Sequence, residues 1–352
     1  MSELSKVPEK YSGKKIYSIS KLQSFKQCKL QYWLNYHERI KGTGNIYSIL
    51  GGLVHDQMEL LQPMKINNAK ALQGFKDKLL EMELSGDIKF MSPKIENNYK
   101  ESLYHYFNHY KPLEAKKVAL EKEFYVEIEG IILRGFIDAV LLNEDDTITI
   151  IDYKTSSSYS GEKKKEAALQ LILYAYAMES LYGAEINTIA WNMLKYAKVT
   201  YFKLEPPKTK KQTESTIKEK VKTCQRNEIV KDFTKEITIE LQKLGKSDIE
   251  IEIMLQSNTL PEEIKDKFKI EDSIVDYKYD EEEKQRLINF VVETVKEIES
   301  KSEEEDFPAI MIDKSSEFFC TQLCDFKSVC TKLEEYQGGI KEQDSLMEDL
   351  FG

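Results

Sequence analysis

Apolar residues recur at helical spacing through the N-terminal part of the chain. Ser18 or Ser20 can cap a first helix that continues to Leu34, and a second helix is predicted over 50–61. Residues 66–110 follow the same period, since apolar side chains three and four positions apart form one stripe on a helix. That stripe consists of Tyr99, Leu103, Phe107 and Tyr110. We expect it to pack in a core.

The period changes to that of strands at Val118. Three apolar runs, separated by a turn at Gly130 and by the polar residues 143–146, predict a meander. Their sequences are V-A-L-E-K-E-F-Y-V-E-I-E-G, I-I-L-R-G-F-I-D-A-V-L-L and T-I-T-I-I-D-Y-K-T. The next run, E-K-K-K-E-A-A-L-Q-L-I-L-Y-A-Y-A-M-E-S-L-Y-G, is typical of a helix that ends at Gly183. I-N-T-I-A-W-N-M-L and K-V-T-Y-F-K-L-E predict two further strands.

The rest of the chain has weaker periodicity. Residues 206–281 are rich in Lys and Glu and are expected to form a helical insertion, and a helix over about 281–301 leads through Pro308 into three cysteines. Strands alternating with helices predict an α/β fold with a mixed central sheet flanked by helices. We expect five regions: a helical N-terminal region at 1–110, a central core at 111–205, the insertion at 206–281, a C-terminal helix with the cysteines at 282–335, and a flexible tail at 336–352.

The composition restricts the classes of protein that remain. The chain has 352 residues, of which 41% are hydrophobic, enough for one large core or two smaller ones. No apolar run approaches the roughly 20 residues that span a bilayer, and the ends lack a secretory signal, so we expect a cytoplasmic protein with no membrane partner. The net charge of −10 argues against a protein that coats nucleic acid by overall charge.

Acidic residues and a lysine lie on two neighbouring predicted strands. Asp138 lies in G-F-I-D, whereas Asp152 and Lys154 lie two apart in I-I-D-Y-K-T and so share one face of their strand. A hairpin can bring Asp138 beside Asp152, and two carboxylates so close repel each other unless a hard cation lies between them. Oxygen ligands of this kind suit Mg2+ or Mn2+. Such a metal can polarise a phosphate and lower the pKa of a bound water. The positive charge of Lys154 suits either of two roles, orienting the attacking water or stabilising the developing charge.

An ordinary ion pair on an exposed strand is the alternative reading of D-x-K alone. The apolar residues that precede Asp152 argue against it, because they predict a buried strand. The chain carries five motifs in this order: S-I-S-K-L-Q-S-F-K-Q-C-K-L-Q-Y-W, L-G-G-L-V-H-D-Q-M-E, G-F-I-D, D-Y-K-T and Q-L-I-L-Y. Together they resemble the PD-(D/E)xK nuclease superfamily, and specifically its RecB-like branch, which includes helicase–nuclease subunits and CRISPR-associated exonucleases.

The resemblance implies a restriction-endonuclease-like fold and Mg2+- or Mn2+-dependent cleavage of DNA. The implied activity is that of an exonuclease on single strands or DNA ends, in recombination, repair or replication, in the setting of a phage. The implied site consists of metal ligands at His55, Asp138, Asp152 and the Tyr153 carbonyl, a catalytic Lys154, and DNA contacts from Gln170 and Tyr174. Packing in a core is the alternative for His55 and for the i,i+4 pair of Gln170 and Tyr174. Glu123 is a weaker candidate for orienting a ligand or holding a second metal.

Five cysteines are present, and spaced cysteines in a cytosolic protein indicate a metal site rather than disulfides. The candidate ligands are Cys28 and the C-terminal trio Cys320, Cys324 and Cys330. Four thiolates suit either an iron–sulfur cluster or zinc. The resemblance implies one [4Fe–4S] cluster that staples the C-terminus to the first helix, although Lys29 stands where the family usually has proline and the first gap of the trio is often one residue shorter. Zinc and unligated thiols stay open, and Cys224 is expected to be a bystander.

The sequence also predicts partners besides DNA. The tail D-S-L-M-E-D-L-F-G at 344–352 resembles the C-terminal clamp-binding peptides of phage DNA polymerases, which predicts docking on a sliding clamp; folding back and disorder are the alternatives. No Walker A motif is present, so a helicase or recombination protein is expected to supply unwound DNA. Two rival functions are a non-catalytic DNA-binding or recruiting module and a zinc-stabilised structural protein. The His–Asp–Asp–Lys set argues against the first, and metal analysis separates the second.

Overall fold

Seven strands of the described chain form one mixed sheet. The computed structural model describes residues 7–157, 159–205 and 216–339. The strands are β1 (Ile16–Tyr17), β2 (Lys117–Ile128), β3 (Ile131–Leu142), β4 (Ile148–Lys154), β5 (Ile186–Glu205), β6 (Thr216–Gln225) and β7 (Phe268–Tyr277). β2, β3 and β4 form the predicted meander, β5 runs parallel to β4, and β6 and β7 pair antiparallel with β5. The mixed sheet flanked by helices is the α/β architecture that the sequence predicts.

Helices account for most of the remaining described residues. They are α1 (Ile19–Gln27), α2 (Lys29–Tyr36), α3 (Ile46–Leu61), α4 (Asn68–Ser85), α5 (Pro93–His109), α6 (Gly161–Tyr182), α7 (Ile229–Asp232), α8 (Thr234–Lys243), α9 (Asp248–Ser257), α10 (Glu262–Lys265) and α11 (Glu281–Glu299). Ser18, one of the two predicted caps, accepts the backbone N–H of Lys21 at 3.1 Å. The predicted single helix to Leu34 is two helices, because Cys28 has an extended backbone between α1 and α2.

The sheet forks beside β3. One edge of β3 pairs along its whole length with β2. The other edge pairs with β4 only from Ala139 to Leu142, and with the short parallel strand β1 only at Ile132 and Leu133. Residues between these two pairings have no strand partner on that edge, so β4 and β1 diverge there. Polar side chains at the fork can therefore lie between strands rather than on a closed sheet surface.

Two cores cover the two faces of the sheet. Ile150 belongs to the core that includes α1, α6 and α11, whereas the adjacent Ile151 belongs to the core formed with α3, α4 and α5. Successive strand residues point to opposite faces, so these helix groups lie on opposite sides. The predicted stripe of α5 is buried in the second core, as expected. Both cores meet β3 and β4, which holds the fork rigidly between them.

The expectation of a helical insertion at 206–281 is corrected by two strands. β6 and β7 enclose helices α7 to α10 and extend the sheet, and a third core lies between these helices and β5. The apolar pattern of β6 did not predict a strand. Its apolar residues Ile217 and Val221 are exposed, and lysines occupy positions between them, so apolar residues do not mark a buried face. The two strands predicted after α6 are one continuous strand, β5.

Candidate active site

The register of β3 and β4 brings the two predicted aspartates to the fork. Ala139 opposite Ile151 is the last pair of this ladder, so Asp138 and Asp152 follow it on facing strands. Asp138 Oδ2 accepts a hydrogen bond from the backbone N–H of Tyr153 at 2.7 Å. This side-chain hydrogen bond joins β3 to β4 just beyond their last backbone pair. Asp138 is 9% exposed and Asp152 is 1% exposed. Two carboxylates thus lie side by side in a nearly desolvated place.

Lys154 connects the acidic strand to helix α6. Its Nζ lies 2.7 Å from Asp152 Oδ2 and donates to Gln170 Oε1 at 3.1 Å. Burial opposes the charge of Lys154, but the carboxylates of Asp152 and Asp138 outweigh it and raise the Lys154 pKa. Gln170 Nε2 in turn donates to the Tyr174 hydroxyl at 2.6 Å. The predicted i,i+4 pair of α6 is therefore linked to the lysine rather than packed only in the core.

The glycine of G-F-I-D has a packing reason that involves the same helix. Gly135 lies opposite Phe124 on β2, and a Cβ at Gly135 would lie 2.6 Å from the Phe124 ring. That ring packs edge-on against Tyr174, with centroids 5.8 Å apart. A side chain at Gly135 would displace Phe124 and with it the support of Tyr174. Gly135 thus leaves room for the contact between Phe124 and Tyr174 of α6.

Helix α3 brings His55 to the fork from the opposite face of the sheet. His55 Nε2 lies 3.2 Å from the Tyr153 carbonyl oxygen, and Nδ1 lies 3.7 Å from Asp138 Oδ1. Burial lowers the pKa of His55, but the carboxylates of Glu121, Asp138 and Asp152 outweigh it and raise that pKa to about 9. His55 faces polar groups and a cavity rather than apolar neighbours. Core packing, the alternative for this residue, does not describe its surroundings.

Glu121 is a site residue that the sequence did not reveal. Its carboxylate Oε1 lies 4.0 Å from His55 Nδ1, and candidate ligand atoms of His55, Glu121 and Asp138 all lie within 4.8 Å of one another. Glu121 stands across from Asp138 in the β2–β3 ladder and has a left-handed backbone with φ 46°. A left-handed non-glycine residue inside a strand is strained by about 1–3 kcal/mol. Glu123 instead accepts from Arg134 at 2.8 Å.

The buried carboxylates of this site fit a bound cation. Burial, followed by the charge of Asp152, raises the pKa of Asp138 to about 7. Asp152 Oδ2 is paired with Lys154, whereas the buried Asp152 Oδ1 has no hydrogen-bond donor among the described residues. A buried carboxylate oxygen without a donor is costly, and a hard divalent cation relieves that cost. The donor set of carboxylates, one carbonyl and one imidazole fits Mg2+ or Mn2+.

Two concave surfaces meet at this set of residues. A cavity of about 950 Å3 is lined by His55, Glu121, Tyr153 and Lys154 on one side and by Lys195 on another. A groove of about 600 Å3 contains Gln170 and Tyr174 together with Lys21 and Arg134. Lys154 in the lining of the cavity donates to Gln170 in the lining of the groove, so one hydrogen bond links the walls of the two surfaces.

The candidate thiol ligands converge from the two ends of the chain. Cys28 lies between α1 and α2, Cys320 lies in a short π-helical turn at Phe319–Leu323, and Cys324 ends that turn. Burial, followed by the charges of the nearby Cys28 and Cys330, raises the pKa of Cys320 to about 11. Cys224 is buried apart from them in the third core.

Backbone bonds fasten the two segments that carry these cysteines. Leu30 N–H donates to the Pro308 carbonyl at 3.3 Å, and Thr43 N–H donates to the Asp325 carbonyl at 3.0 Å. At Gly42 a Cβ would lie 2.6 Å from Asp325 Cβ, so only glycine permits this approach. The thiols are thus held near one another by the fold itself.

The family model of the PD-(D/E)XK nuclease superfamily matches residues 16–331. Gene 69 protein of Mycobacterium phage D29 is 37% identical over 67 residues, which are 19% of this chain and 22% of that protein. This chain therefore spans only about a fifth of that relative's length.

Two solved structures are similar in outline. A candidate exonuclease from Eubacterium rectale has 12% identity and a TM-score of 0.35, and the similarity covers 74% of this chain and 89% of that one. The protein SSO0001 has 13% identity and a TM-score of 0.25, over 88% and 94% of the two chains. Neither similarity is close enough to carry an argument. In the described residues no helix is long and apolar enough to cross a membrane. The match over residues 16–331, with the Asp138, Asp152 and Lys154 motifs at the fork, shows that the chain belongs to the PD-(D/E)XK nuclease superfamily.

Proposed function

We propose that this protein is a Mg2+- or Mn2+-dependent DNA exonuclease of the RecB-like branch, acting on single strands or DNA ends. The observation that carries the proposal is the group formed by His55, Glu121 and Asp138 beside the Asp152–Lys154 pair. A structural ion pair alone needs neither the imidazole nor the third carboxylate. A non-catalytic DNA-binding or recruiting module is the alternative, and it gives no reason to keep this costly group of charges.

Each residue of the site has a separate task in this proposal. Asp138, Asp152, His55 and the Tyr153 carbonyl would hold the cation, with Glu121 as a further carboxylate ligand or as the partner that orients His55. When bound, the metal polarises the scissile phosphate and lowers the pKa of a water. Lys154 keeps its positive charge where negative charge develops on the phosphate.

Helix α6 supports the lysine and the substrate strand. Gln170 accepts from Lys154 and donates to Tyr174, so it fixes the direction of the lysine side chain. The groove beyond Tyr174 carries Lys21, whose charge suits a phosphate backbone, and Arg134, which is paired with Glu123. The cavity between α3 and α5 carries Lys154 and Lys195, whose charges likewise suit the phosphates of a DNA strand.

Cleavage by anaerobically purified protein tests the proposal. End-labelled single-stranded and double-stranded DNA would be incubated with Mg2+, with Mn2+ or with EDTA. We expect degradation from the ends of single strands with either metal and none with EDTA. Circular single-stranded DNA is the control for an endonuclease, because it has no end. Intact DNA under every metal condition would rule out catalysis and favour the recruiting module.

We further propose that Cys28, Cys320, Cys324 and Cys330 bind one [4Fe–4S] cluster. The thiols of Cys28, Cys320 and Cys330 lie close enough to act on one another electrostatically. The arrangement of one N-terminal cysteine with a C-terminal trio, which resembles that of the RecB-like branch, supports the cluster, and zinc is the alternative. The cluster would restrain a loop of nearly the whole chain, and reduced thiols of this kind fit a cytoplasmic protein.

The remaining partners stay predictions from the sequence. The tail 344–352, proposed to dock on a sliding clamp, lies outside the described residues. A helicase or recombination protein would supply unwound DNA, in repair, recombination or replication in a phage setting. The division of the chain into the five regions given above is likewise a proposal.

A further inference from the structure

Lys195 lies in the same cavity as the candidate metal ligands but belongs to none of the recognised motifs. β5 leaves the register of β7 between Asn192 and Ala197, and Lys195 lies within this irregular stretch. Its side chain lines the cavity together with His55 and Lys154. Its Nζ lies 4.8 Å from the centroid of the Tyr99 ring, on helix α5. The lysine is thus held against one wall.

Among the described residues, no carboxylate compensates the charge of Lys195. Burial lowers the pKa of Lys195 to about 8, with no carboxylate acting on it. Among the residues that the structure describes, no carboxylate forms an ion pair with it, in contrast to Lys100, whose Nζ lies 2.5 Å from Glu83 and 2.6 Å from Glu96. A half-buried ammonium without a counter-ion costs free energy, and an incoming anion removes that cost.

The position of Lys195 matches the path of an extended polyanion. Lys154 lies beside Met193 in the parallel β4–β5 register, so Lys195 is two residues further along the neighbouring strand. Both lysines line the cavity. A strand whose scissile phosphate meets Lys154 and that continues through the cavity would bring a neighbouring phosphate near Lys195.

The other groups around the cavity favour the same direction. Thr155, Ser156 and Ser157 follow β4 and line the cavity with hydroxyls that can donate to phosphate oxygens. Asp56 and Glu59 line the α3 side, where they repel a phosphate backbone. Charge therefore steers a strand away from the later turns of α3 and toward Lys195.

We propose that Lys195 binds a backbone phosphate of the substrate strand next to the scissile phosphate, so that this cavity is the path of single-stranded DNA on one side of the site. The proposal rests on the proposed DNA nuclease function. Lys195 acts here as a binding and positioning residue: it holds the strand and takes no part in the bond cleavage itself.

Binding of fluorescent oligothymidine tests this role without cleavage. Anisotropy would be measured with Ca2+ in place of Mg2+, across a series of salt concentrations, for wild type, Lys195→Met, Lys195→Arg and Lys198→Met. Lys198 is the matched control, an exposed lysine on the same strand outside the cavity lining. We expect Lys195→Met to raise Kd about tenfold or more at low salt. The slope of log Kd against log salt should fall by about 0.7, the value for one lost phosphate contact on a single strand.

Lys195→Arg should restore both the affinity and the slope, and Lys198→Met should resemble wild type. Cleavage with Mg2+ should show the loss for Lys195→Met chiefly in KM rather than in kcat. An unchanged salt slope in Lys195→Met would overturn the proposal, and so would equal effects of the two methionine substitutions. A loss that arginine does not restore would make the role of Lys195 structural. If the wild-type protein binds no DNA, the proposed nuclease function fails as well. If the wild-type protein binds DNA and Lys195→Met binds it equally well, only the role of Lys195 fails.

Discussion

Replacing Asp138 with asparagine should separate the stability of this protein from its activity. Burial and the charge of Asp152 raise the pKa of Asp138 to about 7. A carboxyl whose pKa rises on folding contributes full stability only below its unfolded pKa of about 3.9, and that contribution is lost as the pH rises through the folded value. The metal-free protein at about pH 8 therefore carries the whole cost of the ionised pair.

The rise in the pKa of Asp138 sets an upper limit on how much Asp138→Asn can raise the free energy of unfolding. A rise from about 3.9 to about 7 corresponds to about 4 kcal/mol. Asp138 also attracts the His55 imidazolium, whose Nδ1 is 3.7 Å away, and this attraction disappears with the charge. We expect Asp138→Asn to raise the free energy of unfolding of metal-free protein by about 1–2 kcal/mol. The new amide oxygen can still accept the N–H of Tyr153.

Urea unfolding in EDTA at about pH 8, followed by circular dichroism, measures this change. Asp138→Ala is the matched control, because it removes the charge and also the acceptor of the Tyr153 N–H bond. It should be less stable than Asp138→Asn by about 1–3 kcal/mol. Both variants should lose DNA cleavage and the stabilisation that Mg2+ gives to wild type. If Asp138→Asn is less stable than the wild-type protein in EDTA, the electrostatic reasoning is wrong. If Asp138→Asn cleaves DNA as fast as the wild-type protein does, the assignment of Asp138 as a metal ligand is wrong.

Three further predictions concern the lysine, the thiols and the tail. Lys154→Met should lower kcat/KM for the digestion of end-labelled DNA by about a thousandfold. Lys165→Met, an exposed control on α6, should leave kcat/KM unchanged, and equal activities of the two variants would contradict the role of Lys154. Cys324→Ser should remove the iron and the blue-violet absorbance of anaerobically purified protein, while Cys224→Ser should keep both; stoichiometric zinc without iron in the wild type would exclude the proposed cluster. Deletion of 344–352 should abolish binding to the cognate sliding clamp and spare cleavage of short oligonucleotides, and a truncated protein that still binds the clamp would show that the tail is not the docking peptide.

Local patterns were sufficient for the centre of the site. The alternation of apolar residues defined β3 and β4, and the short polar turn between them fixed their pairing, so Asp138 and Asp152 could be placed side by side before any tertiary contact was known. The spacing of Gln170 and Tyr174 on α6 follows from the helical repeat in the same way. These features depend on residues close in sequence, and their geometry is set by backbone periodicity.

Tertiary structure decided which other residues join them. Glu121 reaches His55 because β2 carries a left-handed residue opposite Asp138, a conformation that no local pattern predicts for glutamate. β6 and β7 are strands because they pair with β5 across distant parts of the chain, and such pairing outweighs their weak apolar pattern. The exposure and charge environment of Lys195 depend on the walls that α3 and α5 build around it. The sequence alone therefore determined the local carboxylate–lysine unit, whereas non-local packing decided its third carboxylate and the cavity through which we propose the substrate strand passes.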